Sequence, residues 1–408
     1  MNPGPVRIAR IVSRLAVGGP ARHVCSLTAQ LNSQRFQTWL ICGPPDKGEH
    51  DGAEIAKEAG VEPIYVEQLR RRLGFWDLNA SLKISRLLAQ IRPQIVATHT
   101  AKAGALGRSV ALLRRLATHE KVRLIHTFHG HVFNNYFNAP ITRAFISVER
   151  YLASLTDLIV TVSPSIRRQL IDEYQIVSAD KVRVVPLGFD FGWLQDLPRH
   201  RGWLRARLRA DDSTFIFGIV GRLANIKNPG MVLRAFARML RQEPMDARLV
   251  VVGDGELQQP LRVLARELAI EDRVLFCGWI LDRARIFSDL DATCLSSNNE
   301  GTPVCLIESL AARVPVIATR VGGVEDVVTD KRDGELVGAG DEEAFAAAMI
   351  RAARGRAAIH RDRSAVVCNN YSTSRLVKDI ENLYEEVLHD DRPRGATLRP
   401  HRRPRQAY

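Results

Sequence analysis

The sequence predicts an α/β protein made of two Rossmann-like domains facing a central cleft. Three observations point to it. Short β-branched runs alternate with helix-period stretches, and the alternation runs through twice. The segment Pro186-Leu187-Gly188-Phe189-Asp190 interrupts the pattern between the two rounds. The charge balance changes at the same place: residues 1–190 hold 25 Lys+Arg against 15 Asp+Glu, and residues 191–390 hold 27 against 29.

In the first round the strands are expected at Val6–Ser13, Thr38–Cys42, Pro63–Val66, Ile95–Thr98, Arg123–Thr127, Leu158–Val162 and Val182–Val185. Helices are expected between them, at Trp76–Ile91 and Ala103–Leu116 for example. The second round places strands at Phe215–Val220, Ala247–Val252, Val274–Phe276, Ala292–Leu295 and Val314–Ala318. Its helices are expected at Pro229–Leu240, Leu257–Leu268, Val304–Ala312 and Glu342–Arg354. The first domain then covers residues 1–188. The second covers 189–390 and carries an amphipathic helix, Ser374–Leu388, able to pack back across the hinge. Residues 391–408 hold three prolines, six arginines and no apolar period, so this basic tail is expected to be disordered. In open parallel sheets ligands bind at the carboxyl ends of the strands, so both domains can point binding loops into one cleft.

At 408 residues, with 46% hydrophobic and 25% charged residues, the chain has the composition of a soluble globular protein. Disordered, collagen-like and fibrous chains are excluded. No uncharged apolar run approaches the ~20 residues of a membrane-spanning helix, and the N-terminus has no apolar signal core, so secretion is not expected. The six cysteines form no CxxC pair and several fall in apolar strand-like runs, as reduced core residues of a cytosolic protein would. The net charge of +13 sits in the first half and the tail. Such a basic half fits an anionic partner such as phospholipid head groups, a polyprenyl phosphate or nucleic acid; a generally Arg-rich proteome is the bland alternative.

The strongest chemical signal is Glu300-Gly301-Thr302-Pro303-Val304-Cys305-Leu306-Ile307-Glu308. Two carboxylates stand a little over two helical turns apart, one in a loop and one on the helix that Pro303 opens. Free backbone N–H groups at that helix start suit phosphate or sugar oxygens. Upstream, a strand ends in Gly218-Ile219-Val220-Gly221-Arg222, and Lys227 precedes the next helix. Arg and Lys at a helix entrance can clamp a diphosphate. Gly18-Gly19 follows the first strand and lets a ligand approach the backbone closely. Each has a plainer reading: a helix cap with a surface Glu, a solvated basic loop, an ordinary turn.

Taken together and in order, these stretches resemble the family-4 retaining glycosyltransferases of the GT-B fold. The resemblance spans about residues 6–388. It rests on Val17-Gly18-Gly19, Thr98-His99-Thr100-Ala101-Lys102-Ala103-Gly104, Thr127-Phe128-His129-Gly130-His131, Gly221-Arg222 with Lys227, Val252-Gly253-Asp254-Gly255 and the Glu300…Glu308 pair. The histidine-bearing stretches resemble the branch that builds bacterial exopolysaccharide, capsule or lipopolysaccharide on a lipid carrier. The resemblance implies a UDP- or GDP-sugar donor, a glycan or polyprenyl-diphosphate-linked acceptor, and no metal or other cofactor. Arg222 and Lys227 would hold the diphosphate, Glu308 the ribose, and Glu300 the transferred sugar. Backbone at Gly301, Thr302, Pro303 and Val304 would face sugar and phosphates. Gly18 and Gly19 would admit the diphosphate to the first domain, His129 would sit near the sugar, and Cys277-Gly278-Trp279 would lie by the nucleobase. A peripheral, cytoplasmic location on the inner face of the membrane follows, with nucleic acid not expected as a partner. For membrane contact the candidates are Arg70-Arg71-Arg72-Leu73-Gly74-Phe75-Trp76 and Phe133-Asn134-Asn135-Tyr136-Phe137.

Two decoys and two rivals are weighed against this. Asp289-Leu290-Asp291 spells the carboxylate pair of metal-dependent transferases but precedes a buried strand. His126, His129 and His131 have no carboxylate nearby in sequence and are not read as metal ligands. A non-hydrolysing sugar-nucleotide epimerase shares the fold and would need no acceptor. A non-catalytic protein bound to anionic surfaces would account for the charge alone.

Overall fold

The computed structural model describes residues 4–16, 18–46, 51–70, 74–119, 121–130, 139–355 and 361–389. Val17, Arg71, Arg72, Leu73, His131, the 133–137 segment and the tail from 391 lie outside the described residues.

Two parallel sheets form. The first holds β1 (Val6–Val12), β2 (Phe36–Cys42), β3 (Ile64–Tyr65), β4 (Ile95–His99), β5 (Arg123–Phe128), β6 (Leu158–Thr161) and β7 (Val182–Val184), in the order β3-β2-β1-β4-β5-β6-β7. The second holds β8 (Phe215–Val220), β9 (Ala247–Val252), β10 (Val274–Gly278), β11 (Ala292–Leu295), β12 (Val316–Thr319) and β13 (Gly334–Val337), in the order β10-β9-β8-β11-β12-β13. Both orders are doubly wound. The strand order reverses beside β1 in one sheet and beside β8 in the other, which opens a ligand crevice at the strand ends of each. Strands such as β4 and β11 are buried along their whole length, as the continuous apolar runs of parallel sheets require.

The expected strand at Val314–Ala318 begins later, at Val316. Val314 N instead donates to Ser309 O and so closes the end of the preceding helix, while Pro315 O already accepts from Thr293 N of β11 as the chain enters the sheet. β13 and the helix Ala139–Leu155 are not among the expected elements.

The two sheets share an apolar cluster. Phe128, Val162 and Ile166 from the first pack with Leu295, Leu306 and Val324 from the second. The last helix among the described residues, Thr373–His389, returns to the first sheet and buries Leu376, Ile380, Leu383, Tyr384 and Val387 against Ile8, Leu31 and Phe36. Together these contacts fix the geometry of the cleft between the strand ends.

Candidate active site

The loops after β1, β4 and β5 meet those after β8 and β11 across a cleft with two adjoining chambers, of about 430 and 330 Å3. Thr100, His129, Arg222, Lys227, Glu300 and Gly301 line both.

On the second domain, the loop after β11 is stitched to the turn that carries Lys227. Ser296 Oγ donates to Asn228 O at 2.7 Å, and Asn298 N donates to Ile226 O at 2.8 Å. This brings Lys227 Nζ to 2.6 Å from Glu300 Oε1, where Ser297 Oγ also donates, at 2.5 Å. Burial acts to lower the Lys227 pKa; the charge of Glu300 and its hydrogen bond outweigh that, and Lys227 is held above its ordinary value. Glu308 lies further along, on the helix Val304–Ala311, with Arg283 at 3.6 Å. Burial pushes the Glu308 carboxyl up, and Arg283 and Arg22 only partly offset it. A carboxylate in that state gains from further hydrogen-bond donors, such as hydroxyls.

On the first domain, Gly18 caps the helix Gly19–Leu31. A Cβ on Gly19 would stand 3.1 Å from Val304 Cγ2, so the starts of helices Gly19–Leu31 and Val304–Ala311 abut across the cleft. Both present backbone N–H groups and the positive ends of their dipoles there. Gly301 presses on the first domain so closely that a Cβ would fall 2.2 Å from His129 O, and Thr302 Oγ1 donates to Val162 O at 3.3 Å. Thr100 opens the helix Ala101–Thr118 at φ +69°, a strained conformation for a β-branched residue, and its hydroxyl is 2.8 Å from that of Ser13.

The larger chamber is lined by five cations (Arg14, Arg22, Arg222, Lys227 and Arg283) against two carboxylates, Glu300 and Glu308. Its balance favours a multiply charged anion. Trp279, Ile280 and Leu281 form an apolar wall. The smaller chamber carries Phe128, Phe145 and Ile166 and, besides the shared Glu300, the carboxylate of Glu149, which accepts from Arg108 NH2 at 2.7 Å.

Of the residues singled out from sequence, Gly18, Gly19, His129, Arg222, Lys227, Glu300, Gly301, Thr302, Val304 and Glu308 line this cleft. Two do not. Pro303 is buried and caps the helix, its carbonyl accepting from Leu306 N and Ile307 N. Gly278 takes φ +65° at the end of β10, where its carbonyl accepts from Gly253 N, and Trp279 beside it lines the chamber instead. Asp289 accepts from Gly202 N and Leu204 N, and Asp291 from Ile216 N and Arg205, so both decoy carboxylates serve as structural acceptors. His126 Nδ1 faces Thr98 Oγ1 at 2.8 Å. The histidines that do gather are His23, His99 and His129. Arg22, Arg283, Glu149 and His23 were not singled out, and His99 was named only within the stretch that carries the family resemblance, because their partners come from distant segments.

The profile described as Glycosyltransferase Family 4 matches residues 17–192, and that of glycosyl transferases group 1 matches residues 214–354. Alpha-monoglucosyldiacylglycerol synthase of Streptococcus pneumoniae is 30% identical over 332 residues, 78% of this chain and 72% of that protein. The chain belongs to glycosyltransferase family 4. Another member-like relative, the UDP-Gal:alpha-D-GlcNAc-diphosphoundecaprenol alpha-1,3-galactosyltransferase of Escherichia coli, is 26% identical over 389 residues, 94% of this chain and 97% of that one. Among solved structures, Anabaena HepE in complex with UDP and glucose superposes with a TM-score of 0.75 at 17% identity, over 93% of this chain and 100% of that one. The glycosyltransferase thus has the GT-B fold, with two doubly wound domains about its cleft.

Proposed function

We propose that this glycosyltransferase moves a sugar, with retention and without a metal, from a UDP- or GDP-sugar to a glycan or polyprenyl-diphosphate-linked acceptor in cell-surface polysaccharide synthesis. The observation that carries the reading is the larger chamber, where Arg222, Lys227 and two abutting helix starts converge on one anion-sized space. Breaking the sugar–phosphate bond leaves an oxocarbenium-like sugar and puts charge on the diphosphate. Fixed cations and helix dipoles stabilise that charge in place of a metal. Glu308 then holds the ribose and Glu300 the sugar hydroxyls, while Trp279 and Ile280 border the base. The acceptor enters the smaller chamber, whose aromatic and aliphatic lining suits a sugar face. Of the carboxylates there, Glu149 is committed to Arg108 and Glu300 to Lys227, which supports a leaving phosphate oxygen as the base. The relatives' names support the donor and acceptor classes: one acts from UDP-Gal on a diphosphoundecaprenol-linked sugar.

Docking at an anionic membrane is part of the same proposal. No described helix is long and apolar enough to cross a membrane. Phe75, Leu78 and Leu82 are 86%, 69% and 51% exposed along one side of the helix Trp76–Ile91, beside the basic Arg70. Leu113, Leu116, Val148 and Tyr151 are exposed on the neighbouring helices Ala101–Thr118 and Ala139–Leu155. Apolar side chains beside cations suit an acidic lipid interface. Sedimentation with acidic vesicles at low salt should carry the protein down, and Phe75→Ser/Leu78→Ser should reduce this; wild type that ignores the vesicles removes the membrane part.

A thermal-shift panel of nucleotide sugars tests the donor reading. One nucleotide sugar and its nucleoside diphosphate should both raise Tm, by the equivalent of about 2.7 kcal/mol at a hundredfold excess over Kd. A panel in which no nucleotide stabilises the chain would remove it.

A further inference from the structure

Arg10 lies on β1 with its side chain buried, and its hydrogen-bond partners among the described residues are Thr28 Oγ1 at 3.1 Å and His99 Nε2 at 3.3 Å. Thr28 Oγ1 is itself fixed, donating to Val24 O at 2.6 Å. His99 Nδ1 stands 2.9 Å from His129 Nε2, and His129 lines both chambers. His23 packs edge-on against both rings, with centroids 5.9 and 5.0 Å away.

A guanidinium only donates. His99 Nε2 therefore accepts from Arg10, and in the neutral ring the proton sits on Nδ1. That N–H points at His129 Nε2, which must then accept. The proton of His129 is thereby placed on Nδ1, the nitrogen left for a ligand. We propose that Arg10 and His99 are positioning residues that set the tautomer of His129, so that it meets the donor sugar as a neutral hydrogen-bond donor and not as a base. The proposal rests on the reading of this cleft as a sugar-transfer site. Burial and the nearby Arg10 support it, pushing His129 down to about 4 and keeping it neutral at physiological pH.

The same logic turns the cluster away from metal binding, although a ring nitrogen from each of His23, His99 and His129 lies within 4.8 Å of the others. A cation held by His99 Nδ1 would move that ring's proton to Nε2, where it would face an N–H of Arg10. Donor would then oppose donor, next to a fixed positive charge.

The test is imidazole nitrogen NMR on the full chain labelled at its 11 histidines, combined with kinetics. Wild type should show His99 and His129 protonated at Nδ1 and bare at Nε2. His99→Asn keeps an N–H aimed at His129 and should keep that tautomer. His99→Asp presents an acceptor and should move the His129 proton to Nε2. Turnover should follow the tautomer, with kcat/KM for His99→Asp about tenfold or more below that for His99→Asn, the worth of one hydrogen bond. A wild-type His129 protonated at Nε2, the same tautomer in both variants, or stoichiometric zinc lost in His23→Gln would overturn the proposal. The wild-type spectrum needs no variant and no substrate. It therefore decides the relay even if a substitution unfolds the chain or the transfer assignment fails.

Discussion

Lys227→Ala should produce two separable losses. Lys227 Nζ lies 2.6 Å from Glu300 Oε1, and the two side chains are 30% and 7% exposed. Removing one member of a fully buried pair costs about 3–5 kcal/mol because the other charge is left uncompensated. Lys227 is partly solvated and Ser297 keeps one hydrogen bond on Glu300, so the loss in stability should be smaller, about 2 kcal/mol. The second loss is in turnover. A cation that meets the departing diphosphate contributes more as charge develops, and kcat/KM should fall roughly 10²-fold, about 2.7 kcal/mol. The double variant Lys227→Met/Glu300→Gln removes both charges and should recover most of the stability but none of the turnover. Urea unfolding reads the first loss, and release of nucleoside diphosphate from the stabilising donor reads the second. Near-normal turnover in folded Lys227→Ala would make Lys227 a surface charge. Recovery of turnover in the double variant would mean that Lys227 serves only to neutralise Glu300.

Glu308→Ala should weaken binding of a nucleoside diphosphate even without its sugar, measured by calorimetry; unchanged affinity would end the ribose assignment. On the proposal that fixed protein cations stabilise the leaving group, chelation with EDTA should leave transfer largely intact, and loss restored by manganese or magnesium would contradict this. His129 is pushed down to about 4 from an ordinary value of 6.5, so its contribution to stability is complete above 6.5 and disappears as pH falls towards 4, by about 3 kcal/mol at most. Unfolding midpoints across that range should fall more steeply for wild type than for His129→Gln, and parallel curves would contradict it. Glu308, raised by burial, acts in the opposite sense, its ionisation costing stability as pH rises through the carboxylate range.

Much of the fold was legible because parallel strands bury both faces. Phe215–Val220, Ala247–Val252 and Ala292–Leu295 are short, mostly apolar runs bounded by polar residues or glycine, and the strands occupy just those residues. β13 was not, since Gly334-Glu335-Leu336-Val337 lies at a sheet edge and is only partly buried, leaving little apolar pattern. In the site, residues at strand ends and helix starts could be found from local spacing, as Glu300, Glu308 and Lys227 were. Pairings across the chain could not. Arg10, His23, His99 and His129 come from β1, the helix Gly19–Leu31, β4 and the loop after β5, and only the sheet order brings them together. Arg283 and Glu308 meet for a similar reason, the first following β10 and the second β11, and both line one chamber.

The central claim is transfer of a sugar from a nucleoside diphosphate to an acceptor held across the cleft. It is tested most directly by incubating the protein with radiolabelled donor and a polyprenyl-diphosphate-linked sugar, then following the label and the sugar's configuration. The account predicts that label moves to the lipid with its anomeric configuration retained, that nucleoside diphosphate is released in equal amount, and that Glu300→Gln suppresses both. Label that stays on the nucleotide while the sugar is epimerised, or donor that binds and is never consumed with any acceptor supplied, would contradict it.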